Sequence, residues 1–203
     1  MKDWTGNNKT TFITLGTSNH SDKDREKDDF YATDPNALEI FLEKLKQDNI
    51  ELHKEIWECA CGQGHLSEVL KKHNYDVYST DKVDRGYGDE QIDFLKEKYF
   101  DDDLKADILT NPPYKYAKEF VEKALKIQSP GYYTIMFLKI QFLEGQARKE
   151  LFKNYPPQYV YVNSARQICY INGDMSKKMS SATCYCWYIW EKGWKGETIV
   201  RWI

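Results

Sequence analysis

Four residues near the middle of the chain, Asn111-Pro112-Pro113-Tyr114, have the types and spacing that chemistry on a flat, conjugated amine requires. They follow a short apolar run, Asp107–Thr110, that reads as a strand. Two successive prolines fix the backbone, remove two N–H donors and leave carbonyls projecting. The exocyclic N6 of adenine is such an amine, and a poor nucleophile, because its lone pair is delocalised into the ring. To attack a sulfonium methyl it must lose that conjugation and become more tetrahedral. The Asn111 side-chain oxygen and the Pro112 carbonyl can each accept one N–H and favour the pyramidal form, while Tyr114 offers a flat face for stacking. Catalysis of this kind is positioning plus aimed dipoles, with no metal and no covalent enzyme intermediate.

A second segment supplies a candidate nucleoside site. Glu58-Cys59-Ala60-Cys61-Gly62-Gln63-Gly64 follows a short apolar run and precedes a helical one. Its two glycines let the backbone turn sharply and approach a ligand closely. Asp81 stands 17 residues after Gly64, at the end of the next apolar run, where an acid can accept hydrogen bonds from ribose hydroxyls. Dinucleotide-binding turns carry a third glycine, which would fall on Ser67, so the pattern fits adenosylmethionine better than NAD.

The elements that must position these residues are legible from periodicity. Thr33 or Asp34 can cap a helix with Pro35 in its first turn and an apolar face of Ala37, Leu38, Ile40, Phe41, Leu42 and Leu45. Strands are expected over 55–60, 76–80, 107–110, 132–138, 158–162, 168–171 and 183–190, and helices over 65–73 and 115–128. Strands alternating with helical segments indicate an α/β fold, a parallel sheet covered on both faces. In such sheets ligands lie beyond the carboxyl ends of the strands. Gly62–Gly64, Asp81 and Asn111–Tyr114 all fall at those ends.

Composition sets the outer bounds. A length of 203 residues suits one domain. Residues 1–29 are polar, end in a mixed-charge run and read as a solvated connector, leaving 30–203 as the folded unit. No stretch reaches the roughly 18 apolar residues of a membrane helix, and the start lacks a signal-peptide core, so a cytoplasmic protein without membrane contact is expected. The five cysteines form no C-x-x-C pair and read as reduced core thiols, with no metal. His20, His53, His65 and His73 receive no catalytic role. Net charge is −3, but residues 1–110 hold 15 Lys+Arg against 25 Asp+Glu, and residues 111–203 hold 14 against 7. The basic C-terminal half is a candidate phosphate-facing surface.

Taken together, Asn111–Tyr114 about 50 residues after Glu58-x-x-x-Gly62-x-Gly64 resembles the amino-methyltransferases that act on nucleic acid. The likeness extends to Gly16–His20, to Phe30–Pro35, to Asp93-Phe94, to 137–145 and to 187–193, which resemble segments of small, phage-type DNA N6-adenine methyltransferases. The resemblance implies S-adenosylmethionine as cofactor and a Rossmann-like class I methyltransferase fold with a seven-stranded, mostly parallel sheet. It implies cofactor contacts at Tyr31, Thr33, Glu58, Cys61, Gly62, Gly64, Asp81, Asp93 and Phe94, and a reactive centre of Asn111, Pro112, Pro113 and Tyr114. The partner it implies is DNA, as a duplex with the adenine flipped out or as a single strand.

This chain departs from larger members of that family. Only 46 residues (65–110) separate the glycine turn from Asn111, and 89 follow Tyr114, so no separate target-recognition domain is expected. Reading of sequence then falls to short loops such as 141–157 and 172–182. Lys139, Arg148, Lys149, Lys153, Lys177 and Lys178 suit nucleic-acid contact there. Glu58 also stands where aspartate is commoner. The same motif serves methylation of RNA adenine, cytosine N4 or a protein glutamine amide. A catalytically inactive nucleotide-binding module is the alternative from another class.

Overall fold

The computed structural model describes residues 31–98, 102–165, 169–171 and 183–203. Its centre is an eight-stranded sheet. In chain order the elements that matter are β1 (Tyr31–Thr33), α1 (Pro35–Gln47), β2 (Glu55–Glu58), α2 (His65–Lys72), β3 (Asp76–Asp81) and β4 (Glu90–Gln91). They continue with β5 (Asp107–Thr110), α3 (Ala117–Ile127), β6 (Tyr133–Lys139), α4 (Lys149–Asn154), β7 (Tyr159–Val162), β8 (Cys169–Ile171), β9 (Tyr185–Glu191) and β10 (Ile199–Trp202).

The sheet order is β10-β7-β9-β6-β5-β2-β3-β4, and β9 alone runs antiparallel to its neighbours among the described residues. From β2 the chain steps outward to β3 and β4, then returns to the other side of β2 for β5 and β6. That reversal opens a crevice beyond the carboxyl ends of β2 and β5. The fold is the Rossmann-like class I methyltransferase fold expected. The main sheet has eight strands where seven were expected: the segment expected at 168–171 pairs with β1 outside it, while Glu90–Gln91 joins beside β3 and Ile199–Trp202 pairs in parallel with β7 at the other edge. An ion pair from Arg201 to Asp48, 2.6 Å, ties that added strand to the end of α1.

Helices cover both faces, as alternation along the strands requires. Ile56, Leu109, Ile135, Phe137, Trp187 and Ile189 point to one side and bury the apolar stripes of α1 and α2. Trp57, Ile108, Met136, Leu138, Tyr188 and Trp190 point to the other and bury α3 and Leu151 of α4. Between the alternatives at the start of α1, Asp34 is the cap: its carboxylate accepts Asn36 N–H at 2.9 Å, and Pro35 follows where no N–H is needed. The expected helix over 115–128 divides into a 3-10 turn, Tyr114–Tyr116, and α3. Tyr116 N–H reaches back to the Pro113 carbonyl at 2.8 Å, which tightens the first turn.

Outside the main sheet, β1 pairs antiparallel with β8, placing Thr33 opposite Cys169. This clasp holds the segment before α1 over the crevice.

Candidate active site

The crevice closes into a cavity of about 340 Å³, within the size range of small-molecule sites. Thr33, Glu58, Cys61, Asp81, Asp93, Phe94, Asn111 and Pro113 all line it. Residues 78 positions apart in sequence touch there: the Asn111 amide nitrogen donates to Thr33 Oγ at 2.9 Å. That bond fixes the amide's orientation, nitrogen towards the clasp and oxygen on the other branch, buried.

Asp81 ends β3 with its carboxylate nearly filled. Gly62 N–H donates to Oδ2 at 2.8 Å, Val83 N–H to Oδ1 at 2.8 Å, and Arg85 to Oδ1 at 3.1 Å. A carboxylate offers about four acceptor directions, so among the described residues the remaining one lies on Oδ2. Gly62 thus has a second role besides its turn at φ 56°: it delivers the amide that orients the acid.

Gly64 has a packing role of its own. It caps α2 at φ 83°, and a Cβ there would meet the Tyr87 ring at 2.4 Å. The space a side chain would fill is taken by Tyr87, whose hydroxyl donates to Glu68 at 2.6 Å and accepts from Lys71 at 3.0 Å. Gly64 therefore admits a protein ring, which shapes the turn from behind.

Glu58 ends β2 and is 2% exposed. Burial pushes its carboxyl up to about 8, against the pull of hydrogen bonds from Ser67. The Ser67 hydroxyl, which bonds to both Glu58 and Ser79, ties the ends of β2 and β3 to α2. Burial also raises the Cys61 thiol to about 12 and lowers His65.

The far wall is apolar. Phe94 packs on Phe120 with ring centroids 5.0 Å apart and edge-on to Trp57 at 5.2 Å. Asp93 lies at its margin, within 3.4 Å of Lys82 and 3.8 Å of Lys96. Val83, Arg85, Ile92, Leu95 and Phe120 are among the further lining residues and were not assigned from sequence. Val83 and Arg85 had a signal, lying two and four residues past the ribose-type acid. Phe120 reads as ordinary helix core, and in fact it is core on one side and wall on the other.

Of the Asn111–Tyr114 segment, Pro112 is buried and Pro113 faces the cavity. The Pro113 carbonyl accepts from Tyr116 N–H at 2.8 Å. Tyr114 is half-buried beside the cavity. Its ring centroid is 6.0 Å from that of Tyr185, and Lys139 Nζ lies over the ring at 4.9 Å.

The basic residues divide. Lys149 and Lys153 are exposed on α4. Arg148 spends its guanidinium on its own loop, bonding the carbonyls of Gln141 at 3.1 Å, Phe142 at 2.8 Å and also Glu144. It organises the turn after β6, a role the sequence did not indicate. Lys177, Lys178, Gly16–His20, Phe30 and the loop 172–182 lie outside the described residues, as does the side chain of Tyr31. No described helix is long and apolar enough to cross a membrane.

No protein-family model matches the chain, and no curated protein matches it in sequence. Solved structures do match in fold. A protein assigned as an RNA methyltransferase, from Pyrococcus horikoshii, superposes with a TM-score of 0.59 at 15% identity, covering 91% of this chain and 98% of its own. A protein assigned as a class I S-adenosylmethionine-dependent methyltransferase, from Listeria monocytogenes, gives 0.56 at 14% identity, covering 96% and 71%. An S-adenosylmethionine-dependent O-methyltransferase from Thermotoga maritima gives 0.50 at 13%, covering 80% and 67%. At these identities the likeness is one of fold: the chain has the class I methyltransferase architecture, with its own residues at the strand ends.

Proposed function

We propose that this chain is an S-adenosylmethionine-dependent methyltransferase that methylates the exocyclic N6 of adenine in DNA. The observation that carries the reading is the meeting of Asn111 and Pro113, from the Asn111–Tyr114 segment, with Asp81 and Glu58 around one cavity. An amine-orienting segment and a nucleoside-type site share a wall there.

The residues fit the cofactor. Asp81 keeps one acceptor direction on Oδ2 for a ribose hydroxyl. Phe94, Ile92 and Val83 offer an apolar slot for adenine, with Asp93 at its margin to accept from the ring amine. Glu58 gives the cofactor's ammonium an anionic partner once deprotonated, and Cys61 and Thr33 complete the contacts at that end. S-adenosylmethionine, when bound, supplies the electrophilic sulfonium methyl.

The chain's own residues then prepare the acceptor. Asn111 Oδ1 and the Pro112 carbonyl take the two N6 hydrogens, and Tyr114 supports the base plane. Thr33 holds the Asn111 amide against rotation, so the acceptor is aimed before substrate arrives. Stacked adenine cannot enter a strand-end cleft, so a duplex substrate must extrude the base, at about a few kcal/mol. Lys149 and Lys153 suit the phosphates, and reading of sequence falls to short loops such as 141–157 and 172–182. DNA is preferred as partner because the resemblance across the chain is to DNA adenine enzymes.

The test is incubation with tritium-methyl cofactor and DNA, RNA or total cell protein. Label in DNA, recovered as N6-methyladenine, is expected. Label confined to RNA, to cytosine N4 or to protein glutamine would replace the acceptor, and no label anywhere would leave a nucleotide-binding module.

A further inference from the structure

Tyr114, the proposed stacking platform, already has a cation over it. Lys139 Nζ sits 4.9 Å from the ring centroid, and stacked aromatic rings hold their centroids about 4.5–7 Å apart. The ammonium therefore lies in the shell that an incoming base ring would occupy. The placement is set by the fold. Lys139 is the last residue of β6, paired in register with Tyr185 of β9, whose ring also neighbours Tyr114. Lys139 follows Tyr133, Ile135 and Phe137 on one face of the strand, so alternation directs its stem towards Tyr114. Its backbone is pinned as well, because the Lys139 carbonyl accepts from the Tyr188 hydroxyl at 3.2 Å.

We infer that Lys139 is a placeholder for the target base: its ammonium covers Tyr114 in the free protein and is displaced onto a backbone phosphate of the extruded nucleotide. The inference rests on the nucleobase reading above and gives Lys139 a double role. A half-buried lysine on a four-carbon stem can reorient while its strand stays fixed. Leaving the ring forfeits a cation–π contact of modest strength. A phosphate attached to the incoming nucleotide compensates it, whereas a bare nucleoside offers no such compensation. Lys139 would then favour adenine within a polynucleotide over free adenine nucleoside, which is specificity for the polymer.

The consequence is a pair of effects with opposite signs. Binding is measured to the full-length protein saturated with S-adenosylhomocysteine, so that the cofactor's own adenine site is filled. Deoxyadenosine is followed by NMR titration, and an adenine-containing single strand by fluorescence anisotropy at two salt concentrations. Lys139→Met should bind deoxyadenosine about two- to fivefold more tightly than wild type. It should bind the single strand several-fold more weakly at low salt, with the salt slope reduced by about 0.7. Lys139→Arg should restore the strand affinity. Shifts of the same sign for both ligands, or no shift in either, overturn the placeholder role alone. A wild-type protein that binds neither ligand overturns the nucleobase reading and the inference with it.

Discussion

Asp107 and Glu58 are carboxylates sealed into the same sheet, at opposite ends of neighbouring strands. Asp107 opens β5 and is fully buried, yet three N–H groups converge on it: His53 N and Tyr133 N at 2.8 Å, and His53 Nδ1 at 2.9 Å. It fastens the segment before β2 and the start of β6 to β5. Burial raises its carboxyl, and the donors pull it back. Glu58, ending β2, draws its donors from Ser67 alone among the described residues and is pushed to about 8. The amino end of the sheet satisfies its buried charge and spends it on cohesion. The carboxyl end leaves its charge underpaired, where a cationic ligand group can complete it.

The contrast breaks most sharply at Asn111. Asn111→Ala should lower kcat by about 10²–10³ while leaving the dissociation constant for S-adenosylhomocysteine within about twofold. Parallel loss of both would mean that Asn111 builds the cavity and does not serve the amine. Asp107→Ala should do the reverse. Three donors lose a buried acceptor, at about 3 kcal/mol in all, which for a chain of this size lowers Tm by about 6–12 °C. Cofactor affinity, read by calorimetry well below that temperature, should hold; a large drop would show that the latch reaches the cleft.

The effect at Glu58 is the most specific. The folded protein holds the Glu58 proton up to about pH 8, whereas the unfolded chain releases it near the ordinary carboxyl value of 4.5. The folded state binds the proton more tightly, so this contribution to stability is complete below pH 4.5 and is lost as pH rises towards 8. In Glu58→Gln, Tm of the ligand-free protein should decline less between pH 5 and pH 8 than in wild type, by up to about 10 °C. Identical slopes would show that Glu58 is already charged when folded.

Several features were legible in the sequence because they are local. Alternating apolar runs placed β2, β3, β5 and β6 to within a residue or two, and Pro35 after Asp34 marked the start of α1. What the sequence concealed was set across the fold. Ile199–Trp202 is four residues, three of them exposed apolar side chains, and it becomes a strand because β7 offers an open edge. That Gly64 makes room for Tyr87 and that Arg148 holds its own loop together were equally hidden.

By itself the sequence determined the residue types at the strand ends and their order, since the acid after an apolar run, the paired glycines and the double proline are constraints on a few consecutive residues. Only the tertiary structure decided that Thr33 would orient Asn111, that Gly62 and Arg85 would fill most of the Asp81 carboxylate, and that Lys139 would lie over Tyr114. Each of those contacts joins side chains from separate elements. Their distances follow from sheet register and helix packing, which no local pattern encodes.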